Sequence, residues 1–250
     1  MQNKTCFVSA LQSSTGIALS TLRLFALTTP VQGAGPILNG SFENIGTATA
    51  SSSIDNPTGL PNWSASPSGN KILDCLVLSS ATTDFCGNAF GGGLHFWVNP
   101  GPSPDGGNFV AIDGVQTYST PLVQILTGLI VGSTYQVFFY QAAAQQSGFN
   151  GATTDQWQVS LGTDTRFSTL MNVADHGAVP WMSQALFFTA NAATEALSFM
   201  AVGTPSGMPP FALLDGVSVT QTPEPGTCML LGLGLLGIPI ARKVLKKRAE

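Results

Sequence analysis

Bulky apolar side chains fall on every second position in Thr134-Tyr135-Gln136-Val137-Phe138-Phe139-Tyr140, in Gln156-Trp157-Gln158-Val159-Ser160-Leu161 and in Glu195-Ala196-Leu197-Ser198-Phe199-Met200. A period of two is the period of an extended strand, whose successive side chains point to opposite faces, so each segment reads as a strand with one buried face. Similar stretches lie near 36–43, 71–79, 108–113, 122–127, 165–170, 181–190 and 211–220, which makes roughly ten strands. Gly, Pro, Ser, Asn and Asp fill the gaps, and no segment between the strands carries a helical period. An all-β chain with many one-faced strands buries those faces most economically by stacking two antiparallel sheets into a sandwich. Trp63, Trp157 and Trp181 sit on strand-like patterns and are expected in its core. The stretches 46–59 and 87–107, rich in small and polar residues, read as long loops, and no internal repeat stands out.

The alternation stops at both ends. After Thr222 come Pro223, Glu224 and Pro225, then sixteen uncharged residues from Gly226 to Ala241, then Arg242, Lys243, Lys246, Lys247 and Arg248. As a helix those sixteen residues rise about 24 Å, slightly short of the usual span of about 20 residues, so 226–241 is a marginal single transmembrane helix. The basic tail 242–250 holds its end in the cytoplasm and places the preceding domain outside. A soluble core helix is the alternative, but it would show a polar face at a period of 3.6, and none is present. Gly232-Leu233-Gly234-Leu235-Leu236-Gly237 matches the dinucleotide-binding glycine pattern by letter only. It follows no strand and has no acidic residue about 20 positions on, which sets nicotinamide and flavin chemistry aside. At the other end Lys4, the apolar stretch Ile17 to Leu27 and the small residues around Val31-Gln32-Gly33 suggest a signal peptide over 1–34, diluted by Arg23 and many Ser and Thr. Residues 35–222 remain as the ectodomain, long enough for one core.

Removing the ends changes what the composition means. Of nine Lys and Arg only Lys71 and Arg166 lie within 35–222, against eleven of the thirteen Asp and Glu. An acidic domain without a basic patch cannot neutralise phosphates, so nucleic acid is excluded as a partner. A surplus of carboxylates suits either a divalent cation or simple solubility. Of four cysteines, Cys6 lies in the signal segment and Cys228 in the apolar tail, leaving Cys75 and Cys86. In an oxidising compartment a disulfide closing this short loop is the favoured reading and would contribute about 3 kcal/mol; two free buried thiols are the alternative.

The order Pro-Glu-Pro, apolar span, basic cluster resembles the PEP-CTERM sorting signal of Gram-negative bacteria (motif 223–225 within 223–250). That resemblance implies a tail held in the inner membrane until an exosortase cuts near Pro223-Glu224-Pro225, and a final place at the cell surface or in the extracellular matrix. A second resemblance lies in Ile37-Leu38-Asn39-Gly40-Ser41-Phe42-Glu43, Pro61-Asn62-Trp63, Leu129-Ile130-Val131-Gly132-Ser133-Thr134-Tyr135 and Leu214-Asp215-Gly216-Val217-Ser218-Val219. In that order they look like the galactose-binding-like jelly roll shared by carbohydrate-binding modules. The resemblance implies a β-sandwich, often with a structural calcium, and sometimes with a sugar site on the concave face or in the loops.

Calcium needs six to eight oxygen ligands, and a jelly roll brings its first and last strands together, so Glu43 and Asp215 are the expected carboxylates; both occupy positions that the family uses. Asp215 beside Gly216 alternatively caps a turn. Sugar binding asks for flat aromatic faces together with amides and carboxylates, and Trp97, Tyr118, Gln141 and Gln145 are the candidates. Catalysis has less to rest on. His95 and His176 lie in no metalloprotease motif, no nucleophile elbow is present, and Asp175-His176-Gly177 reads as a turn. Three readings compete: a non-catalytic exported module that associates with exopolysaccharide, a structural or adhesion protein of the biofilm matrix without sugar recognition, and, least favoured, a glycan hydrolase.

Overall fold

The computed structural model describes residues 37–46, 60–65, 74–77, 84–86, 94–115 and 121–222, and these form one β-sandwich. Its strands are β1 (Ser64–Ala65), β2 (Asp74–Val77), β3 (Asp84–Cys86), β4 (Leu94–His95), β5 (Phe109–Asp113), β6 (Leu122–Thr127) and β7 (Thr134–Gln145). They continue as β8 (Thr153–Leu161), β9 (Asp164–Phe167), β10 (Met171–Val173), β11 (Ala178–Thr189), β12 (Thr194–Thr204) and β13 (Pro210–Gln221). One sheet runs β1-β6-β12-β8-β10 with β9 on β8, the other runs β11-β7-β13-β5-β2, and β3 pairs with β4. All pairings are antiparallel. From β5 to β8 the chain alternates between the two sheets, and it does so again from β10 to β13. The orders β5-β13-β7-β11 and β6-β12-β8-β10 that result are those of an eight-stranded jelly roll.

The alternation read from the sequence sets which side chains meet. Along β8 every odd residue from Thr153 to Leu161 is buried and every even one is half-buried. The inner faces contribute Tyr135, Val137 and Phe139 from β7, Trp157 and Val159 from β8, Leu197 and Phe199 from β12, and Leu214 from β13. Phe199 stands edge-on to Phe139, Trp157 and Trp63, which closes the core with tilted aromatic contacts. Trp63 and Trp157 are 4% and 0% exposed, as expected of core residues.

Two departures from the expected pattern have physical causes. The stretch 36–43 is not a strand in its described part: Asn39 and Phe42 take positive φ, and the Asn39 side chain accepts from Asn44 N–H and donates to the Asn44 carbonyl, so the chain turns instead of extending. In β7 the alternation gives way to five consecutive buried residues, 141–145. There the segment after β4 crosses the outer face of the second sheet, and Phe96 with Trp181 covers Phe109, Ala111, Ala142, Ala144, Phe211 and Leu213 in a second apolar cluster. The 87–107 stretch is therefore partly a cover with its own buried aromatic ring, contrary to a loop of small and polar residues. The signal segment 1–34, the sorting motif 223–225, the apolar span 226–241, the basic tail and Tyr118 lie outside the described residues, as do the side chains of Cys75 and Cys86 in β2 and β3.

Candidate functional site

At the end of the sandwich where β7 finishes, three loops bring together Trp97, Asn150, Asp175 and His176. The Trp97 N–H donates to the Gln145 carbonyl (3.1 Å), continuing the bridge between Phe96 and Gln146, and its indole Nε1 donates to the Phe149 carbonyl (2.8 Å). Its ring lies on the His176 ring with centroids 4.1 Å apart and planes inclined by 38°. His176 has a φ of 58° in the tight turn closed by Gly177 N–H to the Ala174 carbonyl, and its Nε2 meets Asn150 Oδ1 at 2.7 Å and Asp175 Oδ1 at 3.5 Å. Trp97 is nevertheless 39% exposed. A large aromatic ring whose polar atom is already satisfied by protein offers solvent an apolar surface held in one orientation, flanked by an imidazole, an amide and a carboxylate.

Gln145 is fully buried beneath this cluster, where its Nε2 donates to the Gly151 carbonyl and its Oε1 accepts from His176 N–H. It positions the His176 turn and does not reach the surface. Gln141 is also 0% exposed and donates to the Thr169 carbonyl. Both amides thus brace loops, whereas Trp97 faces outward. His176 and Asn150 join it through the tertiary fold, and only the Asp175-His176-Gly177 turn pattern marked their region in the sequence.

Glu43 and Asp215 do meet. Asp215 is 0% exposed, and its Oδ1 accepts from Gly216 N–H while its Oδ2 accepts no hydrogen bond. Burial raises its pKa to about 7 against the opposing hydrogen bonds from the Ser103 hydroxyl and Gly216, and the negative charges of Asp105 and Glu43 push it the same way. The Glu43 Oε1 accepts from Asn108 N–H at 2.7 Å. Gly107, with a φ of 68°, lies so close to that carboxylate that a Cβ would overlap it, so this loop is shaped around the acid. An unpaired buried oxygen on Asp215 with the Glu43 carboxylate nearby is chemistry that suits a hard cation, with Glu43 and Asp215 as holders and the Ser103 hydroxyl beside them. Among the described residues no three His, Cys, Asp or Glu side chains converge tightly enough to hold a metal alone, so main-chain oxygens would have to complete the shell. Beyond this cluster the outer sheet face is open. Register places Tyr140 beside Ser183 and Asp215, Phe138 beside Ala185 and Ser218, and Gln136 beside Phe187 and Thr220, with Phe187 51% exposed.

A second acid pair lies inside the sandwich. Asp113 on β5 and Asp155 on β8 are both 0% exposed, and each has one oxygen on a neighbouring N–H, Val115 and Gln156 respectively, and one without a partner. Burial raises Asp113 to about 7 and Asp155 well above the usual carboxylate range, where the charge of Asp113 adds to the effect. Gly114 passes so near that a Cβ would lie 2.8 Å from both Asp155 Oδ1 and Gly203 N. Enclosure in the sandwich favours the protonated form of both carboxyl groups.

Among solved structures the chain is similar to a family 4 carbohydrate-binding module, with 16% identity over 74% of this chain and 99% of that one at a TM-score of 0.36. It is also similar to TmCBM61 solved with β-1,4-galactotriose (14%, 73% and 99%, TM-score 0.38) and to the K2 cleaved adhesin domain of Lys-gingipain (16%, 68% and 96%, TM-score 0.34). At such scores the jelly-roll assignment rests on strand order and pairing. Residues 221–247 match the PEP-CTERM protein-sorting motif. The motif indicates export and membrane-associated sorting in a Gram-negative bacterium, with processing by an exosortase. No curated protein matches the chain.

Proposed function

We propose that this chain is an exported, non-catalytic sandwich module that associates with exopolysaccharide through the Trp97 end and is delivered to the cell surface or matrix by its C-terminal signal. The observation that carries the reading is the held, outward Trp97 ring with His176, Asn150 and Asp175 around it. An aromatic face stacks on the C–H-rich face of a pyranose, while the neighbouring polar groups bridge its hydroxyls. A non-catalytic role fits the acids with raised pKa, Asp113, Asp155 and Asp215, all of which are sealed from solvent. A structural calcium at Glu43 and Asp215, with main-chain oxygens completing its shell, would tie the segment 37–46 to β13. It would supply charge neutralisation there. Affinity electrophoresis of residues 35–222 through gels of the host's own matrix polysaccharide and several others tests the proposal. Retardation is expected in at least one gel and is lost in Trp97→Ala. Retardation by none favours a matrix or adhesion role without sugar recognition, and reducing sugar released by the chain points to a hydrolase.

A further inference from the structure

The end of the sandwich opposite Trp97 has a different character. The connection that carries the chain from β6 in one sheet to β7 in the other is Gly128-Leu129-Ile130-Val131-Gly132-Ser133, and its tip exposes Ile130 by 42% and Val131 by 61%. This tip is rigid. Ile130 N–H donates to the Tyr135 hydroxyl, Ser133 N–H to the Ile130 carbonyl, Gly132 N–H to the Ala190 carbonyl and Leu129 N–H to the Ala193 carbonyl. Chain is thus ordered with hydrogen bonds from Tyr135 and the 190–193 loop only to hold two large apolar side chains out in water.

The C-terminal strand ends at the same place. Thr222 donates to the Thr134 carbonyl through both its N–H (2.9 Å) and its hydroxyl (3.1 Å), and Gln221 Nε2 donates to Ser133 Oγ at 3.0 Å. Only Pro223, Glu224 and Pro225 separate this anchored point from the apolar run that begins at Gly226. At about 3.3–3.6 Å per residue those steps reach at most about 14 Å. A tail held in lipid therefore keeps this end of the domain against the bilayer surface.

Charge agrees with that placement. The segments 127–134, 189–194 and 220–222 contain no Asp, Glu, Lys or Arg, and the charges next to them are held by protein: Glu195 is 8% exposed and accepts from Asn191 N–H, and Asp164 at the β8–β9 turn pairs with Arg166. Carboxylates there would be repelled by anionic lipid and would lose hydration on contact. Asp113, Asp155, Asp175 and His176 lie at the opposite end, to which β7 runs through twelve residues, about 37 Å.

Resting on the reading that the tail lies in a membrane, we infer that Ile130 and Val131 form an apolar foot that docks the domain on the lipid surface before the tail is cut. The sandwich then stands upright with the Trp97 end facing away from the bilayer. The foot and the pinned Gln221-Thr222 end fix the height and direction in which the chain leaves the domain at Thr222.

The full-length chain carrying a diazirine amino acid at position 131, 170 or 233, in vesicles of phosphatidylethanolamine and phosphatidylglycerol, tests this by counting lipid adducts after illumination. Leu170, 47% exposed and also apolar, lies next to β10, which pairs with the far end of β8, and is the matched control. Adducts are expected at 131 and 233, with at least ten-fold fewer at 170. Labelling at 233 with position 131 no higher than 170 means an anchored tail and a free domain, and overturns the foot alone. Absence of adducts at 233 removes the membrane reading and the foot with it. With the diazirine moved to Ala192 on the adjoining loop, Ile130→Ser combined with Val131→Ser should lower the yield about ten-fold, the change expected for losing two half-buried aliphatic contacts. An unchanged yield assigns the contact to the tether and overturns the proposal.

Discussion

Trp97→Ala removes the ring that the proposed sugar face depends on, and the structure sets the size of the effect. A tryptophan side chain offers about 200 Å² of surface, and 39% of Trp97 is exposed, so a ligand stacked on it covers about 80 Å². At about 25 cal/mol per Å² this is about 2 kcal/mol, or roughly a 30-fold rise in Kd. The fold itself survives loss of this ring: its one side-chain hydrogen bond goes to the carbonyl of a loop residue and its stacking partner His176 is itself exposed, so stability should fall by about 1–2 kcal/mol. Isothermal titration with the best-retarded polysaccharide, alongside thermal melts, reads both quantities. Trp97→Phe should fall between wild type and Trp97→Ala in affinity. A Kd changed less than three-fold by Trp97→Ala, with binding abolished by Phe138→Ala and Tyr140→Ala, would place the sugar on the open sheet face and refute the reasoning.

The buried acids make stability fall as pH rises. Asp113 and Asp215 keep a proton up to about 7, whereas the unfolded chain loses it near 4, so between these values the folded state binds more protons and is progressively penalised; Asp155 acts in the same direction. Melts should be highest near pH 4 and fall as pH rises through about 7, and Asp155→Asn should flatten the slope; a rising slope contradicts the assignment. Calcium at 100 times its Kd should add about 2.7 kcal/mol, more strongly above pH 7 where Asp215 is ionised, and Glu43→Gln with Asp215→Asn should remove the response; a Tm indifferent to calcium and chelator ends this idea. Gly114→Ala places a methyl against Asp155 and Gly203 and should cost about 1–3 kcal/mol, read as a lowered denaturation midpoint. Replacing Glu224 should leave full-length chain in the inner membrane, and normal release would argue against sorting through the motif.

The period of two in β7, β8 and β12 was readable because it is local: side chains two apart share a face whatever lies across from them. That period and the order of apolar, proline and basic segments at the C-terminus determined an all-β exported domain with a sorting tail, and the Glu43–Asp215 encounter followed from jelly-roll connectivity. Gln141 and Gln145 misled because an amide-rich run looks alike in sequence whether it faces solvent or lies under a cover, and burial here is imposed by Phe96 and Trp181 from distant segments. The same limit hid the Asp113–Asp155 pair, the stacking of Trp97 on His176 from 79 positions away and the apolar foot, each assembled from segments remote in the chain. Local pattern thus decided what the strands are and where the chain is sent. Only tertiary packing decided which polar groups are sealed and which face outward, because burial depends on neighbours that sequence spacing does not encode.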